Sequence, residues 1–168
     1  MAIVAADIHK HLSGGVDNAN VNASLGGVMS STAITDASLH NLFDAVSGLE
    51  HAGGDTEYRC LYLQNAHGTI TYELANVYIQ TNTPSAESDI SIGLDPAGLN
   101  ATATTIATEQ DAPAGVSFSQ PSSGSPLSIG NMAVGAYIGL WVKRVISAGT
   151  PTVSADSVVL RTSGGTQP

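Results

Sequence analysis

His9 and His11 lie two residues apart, the spacing that places both imidazoles on one face of an extended chain, where two such rings can share a metal ion. No third ligand is evident in the sequence, so the pair is read as two exposed imidazoles. Asp55 with Glu57, and Glu109 with Asp111, repeat the same spacing with carboxylates, the hard oxygen donors that calcium prefers. Neither pair sits in a loop of alternating oxygens, and both stand near Gly or Pro, so they are read as solvated turn residues. The one cysteine, Cys60, has no histidine or other base beside it in sequence. It is read as a small buried hydrophobe, and being alone it excludes an internal disulfide. There is no glycine-rich phosphate loop ahead of a helix, no Gly-x-Ser-x-Gly turn, no Cys pair and no His-Glu-x-x-His. The expectation is a protein that is not an enzyme, with no catalytic, cofactor-binding or metal-binding residues and no cofactor.

Arg59 and Arg144 stand out for another reason. Each interrupts a strand face otherwise filled with Leu, Ile and Val. An unpaired guanidinium buried there costs several kcal/mol, on the order of 3–5, so each is expected to meet a carboxylate or to lie at a rim. Both are assigned to structural ion pairs, with Glu57, Glu73 or Asp156 as the carboxylates in view. Trp141 and the tyrosines offer a platform for a sugar ring, but aromatics are only 5% of the chain and most are expected in the core.

The elements that must position these groups are strands. In residues 57–64 Tyr58, Cys60 and Tyr62 alternate with Arg59, Leu61 and Leu63, and large side chains on both faces mark a central strand. Asn65-Ala-His-Gly68 suits a hairpin loop leading into residues 69–80. There Ile70, Tyr72 and Leu74 are followed by Val77 and Ile79, a change of phase that predicts a β-bulge at Ala75-Asn76. Further strands are expected over 7–12, 89–94, 104–108, 116–118, 136–146 and 156–162, with Gln120 to Pro126 a polar loop. Leu39, Leu42, Phe43 and Val46 are spaced for a short helix near 37–47, with Asp36 as N-cap and Gly48 as the stop. The fold class is therefore all-β, an antiparallel β-sandwich of jelly-roll or Ig-like type with one short helix.

Composition divides the chain. Residues 1–54 are rich in Gly, Ala, Ser and Asn and poor in bulky groups, so alone they cannot offset their ordering entropy. They are expected to form an extended N-terminal arm, residues 55–163 the sandwich domain and residues 164–168 a flexible tail. Removing residues 1–30 is expected to leave the sandwich folded. Of 168 residues only 11% are charged, and 14 acids against five Lys and Arg give a net charge of -9. A phosphate-neutralising nucleic-acid surface needs clustered cations and is not expected. No long apolar run and no cationic start before one are seen, so neither a membrane span nor a signal peptide is expected, and the product should accumulate soluble in the cytoplasm that makes it.

The blocks Asp55-Thr-Glu-Tyr-Arg-Cys60, Val77-Tyr-Ile-Gln80, Ile92-Gly-Leu94, Ala112-Pro-Ala-Gly-Val-Ser-Phe-Ser119, Ile129-Gly130 and Leu140-Trp-Val-Lys-Arg144 occur in this order. With Leu12-Ser-Gly-Gly15, Ala23-Ser-Leu-Gly-Gly27 and Leu39-His-Asn-Leu-Phe-Asp44 they make the chain resemble small virion structural proteins of tailed bacteriophages. That resemblance implies a capsid decoration, or cement, protein. It implies the major capsid protein and further copies of itself as partners, a trimer at threefold positions, and a place on the capsid surface of the virion. On this reading the arm bridges neighbouring subunits through Ile8, Leu12, Leu25 and Val28. The alternative is a tail or head-fibre component whose sandwich binds host glycan.

Overall fold

Eleven consecutive residues, Asp55–Asn65, form the strand on which the molecule is built, and seven of them in a row, from Glu57 to Leu63, are buried. The computed structural model describes residues 2–151, 153 and 156–166. In chain order the regular elements are β1 (Ile8–Leu12), β2 (Gly26–Gly27), α1 (Gly48–Gly53), β3 (Asp55–Asn65), β4 (Tyr72–Thr81), β5 (Ser88–Leu94), β6 (Ala103–Thr105), β7 (Leu127–Met132), β8 (Tyr137–Ile146) and β9 (Val159–Gly165), with single 3-10 turns at Ala5–Asp7 and Val21–Ala23. One sheet runs β1-β3-β8-β5 and another β7-β4-β9, all antiparallel, with a two-stranded ribbon β2-β6 beside them. This is an all-β sandwich.

The two larger sheets share one core. Leu61, Leu63, Ile90, Ile92, Ile138, Leu140 and Val142 of the four-stranded sheet meet Tyr72, Ala75, Val77, Ile79 and Met132 of the three-stranded one. The reverse face of β3 and β8 is covered too. Tyr58, Cys60, Tyr62 and Trp141 are buried there with Ala103 and Ile106, against Leu25, Met29, Val116 and Phe118. The buried polar atoms of Tyr62 and Trp141 in this second layer are paired. The Tyr62 hydroxyl donates to Gly27 O at 2.5 Å and accepts from Ala103 N at 2.7 Å, which joins β2 and β6 to the sheet. Trp141 Nε1 donates to Asp95 Oδ2 at 2.9 Å, and the same oxygen accepts from Thr104 N at 2.8 Å. Two glycines permit this close layering. A Cβ on Gly26, whose φ is +87°, would stand 1.7 Å from Thr104 O, and one on Gly93 would stand 2.5 Å from Ser117 O.

The bulge falls where the phase change predicts it. The register between β4 and β7 shifts at Tyr72/Ala75 and again at Ala75/Asn76. Leu74 takes φ +49° and points its side chain to solvent, so Tyr72, Ala75 and Val77 all reach the core. The expected hairpin between β3 and β4 does not form. Both edges of β3 are occupied, by β1 and by β8, and β4 lies in the opposite sheet. Buried Asn65 holds the crossing, its amide donating to Ile70 O and to Met132 O, both at 2.9 Å.

The helix also lies elsewhere than the spacing predicts. Ala37 and His40 have positive φ, which breaks a right-handed helix near 37–47, and α1 begins only after Ser47. There Ser47 Oγ accepts from Glu50 N at 3.3 Å and Glu50 Oε2 accepts from Ser47 N at 2.6 Å, a reciprocal cap that outweighs apolar spacing in a short element. Residues 116–118 form no strand, although Ser119 bridges to Ile92, while Leu127–Met132, which the alternation does not reveal, is one. The last strand continues through Gly165, so residues 164 and 165 are not tail, and residues 167 and 168 lie outside the described residues.

The N-terminal segment is not an arm apart from the domain. β1 pairs along β3 from Ile8↔Asn65 to Leu12↔Leu61, and Leu12, Ser13, Ser24 and Ser30 are buried. Leu42 and Phe43 pack on the main core, whereas Leu39 is 68% exposed. Deleting residues 1–30 removes an edge strand and one wall of the second core layer. The expected outcome is loss of cooperative folding, read as the absence of a sharp thermal transition by near-UV circular dichroism, and a wild-type transition in the deleted protein would refute this placement.

Candidate functional site

Charged side chains gather at one end of the four-stranded sheet. Glu57 and Arg59 on β3 and Arg144 on β8 face the same way, because Glu57 is registered with Arg144 and side chains alternate along a strand. Glu57 and Arg59 are fully buried and Arg144 is 9% exposed. Arg144 Nε donates to Glu57 Oε2 at 2.5 Å, its Nη1 donates to Asp44 O at 3.0 Å, and its Nη2 lies 3.6 Å from Asp44 Oδ1. Arg59 donates to Glu109 and, at 3.1 Å, to Asn22 Oδ1. The Phe43 ring covers both guanidiniums, 4.6 Å from Arg144 and 5.6 Å from Arg59. Thus Arg59 and Arg144 occupy ion pairs whose carboxylates come from β3, the segment ahead of α1 and the loop after β6. Of the partners considered from sequence only Glu57 takes part. Burial pushes the Glu57 carboxyl above the ordinary glutamate range, against the opposing pull of the Arg144 hydrogen bond and charge, while Glu109 and Glu50 add to the rise.

The other chemically capable residues do not converge. Cys60 is buried among Tyr58, Tyr62 and Trp141, and desolvation pushes its thiol far up, the opposite of a nucleophile's environment. Burial likewise raises the Tyr62 phenol to about 12. His9 and His11 have ring centroids 5.9 Å apart, and no His joins the metal-compatible clusters among the described residues. His11 is depressed below 6.5, first by burial and then by His9. The open depressions are small. One of about 210 Å³ is lined by Leu12, Val21, Ile34, Asn41 and small neighbours, with no ionisable side chain.

Of the residues assigned to partner contact, Leu12 is 3% exposed and Ile8 and Leu25 pack against the two core clusters, so these three serve the chain's own interior. Val28 alone is open, at 47%, and Val16 beside it is open as well, their segments joined by Gly15 N donating to Val28 O at 3.1 Å. Trp141 is fully buried and cannot be a sugar platform. The cluster around Glu57 escapes sequence reasoning because Asp44 and Glu109 reach it from irregular segments outside β3; the interrupted apolar faces at Arg59 and Arg144 and the carboxylate pairs Asp55/Glu57 and Glu109/Asp111 are its signals, but nothing local joins them. Comparison of the chain with protein-family models, with curated proteins and with solved structures finds no match in any of the three.

Removing one partner of a buried pair strands the other charge. Arg144→Ala is expected to destabilise the fold by about 3–5 kcal/mol in urea unfolding, and the double change Glu57→Gln/Arg144→Met to recover much of that loss. A second expectation concerns pH. Because the folded state holds His11 below its unfolded value, the folded chain binds fewer protons, so its contribution to stability is full above pH 6.5 and is lost as pH falls below it. His11→Gln should flatten that part of the profile when melting temperature is compared between pH values on either side of 6.5.

Proposed function

We propose that the protein is a capsid decoration protein of a tailed bacteriophage, a binding and structural protein rather than an enzyme. The observation that carries this reading is the ordered set of sequence blocks that resemble such virion proteins. Several of those blocks lie in the strands that frame the domain. Asp55–Cys60 lies in β3, Val77–Gln80 in β4, Ile92–Leu94 in β5 and Leu140–Arg144 in β8. Ala23–Gly27 spans the segment whose close packing on Thr104 demands glycine. The resemblance therefore rests on residues that build the domain, which makes it evidence about the scaffold first and about the partner second.

A protein that cements a shell needs a rigid body and a contact surface distinct from its own core. With Ile8, Leu12 and Leu25 committed inward, that surface is reassigned to the exposed loops carrying Val16 and Val28. A net charge of -9 agrees with a protein partner and opposes a nucleic-acid one. On a symmetric shell each copy meets equivalent neighbours, and a trimer at threefold positions remains the favoured arrangement. The glycan-binding alternative loses Trp141 from its platform, because that side chain is fully buried.

The test is reconstitution on purified particles followed by cryo-electron microscopy. Density over the capsid exterior is expected for the wild type, and the double change Val16→Asp/Val28→Asp should lower occupancy at least tenfold while leaving the circular dichroism spectrum unchanged. Density confined to the tail would remove the capsid assignment, and full occupancy by the variant would move the contact elsewhere.

A further inference from the structure

Glu57 belongs to two groups of carboxylates, and only one of them is engaged by arginine. Asp44, Glu57 and Glu109 each offer an oxygen within 4.8 Å of the others, and Arg144 and Arg59 bond to this group. Glu50, Asp55 and Glu57 form the second group, again with one oxygen from each within 4.8 Å of the others, and no Lys or Arg is paired with Glu50 or Asp55 among the described residues. The five carboxylates of the two groups face two guanidiniums, which leaves three formal negative charges around a buried centre. Arg144 Nε occupies Glu57 Oε2, while Glu57 Oε1 is buried and has no hydrogen-bond donor among the described residues. A fully buried carboxylate oxygen without a donor is costly, and Glu57 is the member of the second group that carries one.

We propose that Glu50, Asp55 and Glu57 form a binding site for a single calcium ion. Two oxygens that each stand about 2.4 Å from one ion can be as much as about 4.8 Å apart, so a single calcium ion can reach all three carboxylates, and calcium accepts an irregular shell of carboxylates and water where magnesium demands a near-octahedral one. The elements that carry the three acids hold them in place without exhausting their oxygens. Glu50 is fixed by the cap at the start of α1 through Oε2, which accepts from Ser47 N. Asp55 accepts from Thr56 N at 2.7 Å through Oδ1 and from Gln110 Nε2 at 3.1 Å through Oδ2. Each carboxylate oxygen has two acceptor positions, so all three side chains retain capacity, and Glu50 and Asp55 are partly exposed and leave room for water to complete six to eight ligands. Asp55 and Glu57 are two apart on β3 and share a face, and Gly54 ends α1 immediately before them, bringing Glu50 back over that face. The ion would fasten the helix to the end of the central strand. This site stands independently of where the protein acts.

The experiment uses the full chain, stripped with EDTA, titrated with calcium chloride by calorimetry and followed by thermal unfolding. Saturable binding of one calcium per chain is expected, with a melting temperature that climbs with the logarithm of calcium concentration. Asp55→Asn and Glu50→Gln are expected to weaken binding at least tenfold while melting close to the wild type in EDTA, since both replacements keep the capping and turn acceptors. Glu57→Gln is avoided because it also disturbs Arg144. No saturable heat from the wild type up to millimolar calcium, on the order of the weakest protein sites, would overturn the proposal. So would equal binding by the two variants, or an equal rise in melting temperature with magnesium, which would mark general screening of an acidic chain.

Discussion

The central strand pair β3 and β8 is buried on both faces, and most of the structure follows from that condition. An ordinary antiparallel sheet leaves one face to water and needs only alternate apolar residues. Here Leu61, Leu63, Leu140 and Val142 face one core while Cys60, Tyr62 and Trp141 face another, so one strand pair demands two covers. The three-stranded sheet supplies the first. The second comes from irregular chain, the glycine-rich segment before α1 and the loops on either side of β6, which fit only because glycine permits contacts as close as that of Gly26 with Thr104.

Double burial also means that the polar side chains buried along these strands must each be given a partner. Tyr62 and Trp141 carry one polar atom apiece and spend it on binding the second cover, through Gly27, Ala103 and Asp95. Glu57, Arg59 and Arg144 are harder to accommodate. They are grouped at one end of the sheet, where Phe43 covers the guanidiniums and carboxylates arrive from distant parts of the chain. Positive charge in that group falls short of negative charge, and the shortfall is concentrated beside α1. Tyr58, Tyr62, Tyr72 and Trp141 are spent on packing, while the loops carrying Val16 and Val28 stay open to solvent and Glu50 and Asp55 at this acidic end are partly so.

The parts of the fold legible from sequence are those that depend on neighbours along the chain. Alternation identifies β1, β3, β5 and β8, and the phase change in β4 locates its bulge, because a register error there would turn apolar side chains to water. The same reading marks Arg59 and Arg144 as requiring partners. It fails where the deciding contact is remote. β3 and β4 look like a hairpin, yet both edges of β3 are claimed by strands at opposite ends of the sequence; Leu39, Leu42 and Phe43 look helical, yet two of them are drawn down onto the sandwich, and the capping residues sit later, at Ser47 and Glu50.

Sequence by itself determined that this is an all-β protein with a two-sided central strand, poor in cations and obliged to pair its buried arginines. Tertiary structure alone decided that the glycine-rich beginning of the chain is built into the sandwich, that Trp141 is core, and that Asp44 and Glu109 reach the buried arginines. Strand periodicity is written in adjacent residues and survives without the rest of the molecule. Which surface a segment covers, and which charges become neighbours, depends on chain closure over tens of residues, and no local pattern encodes it.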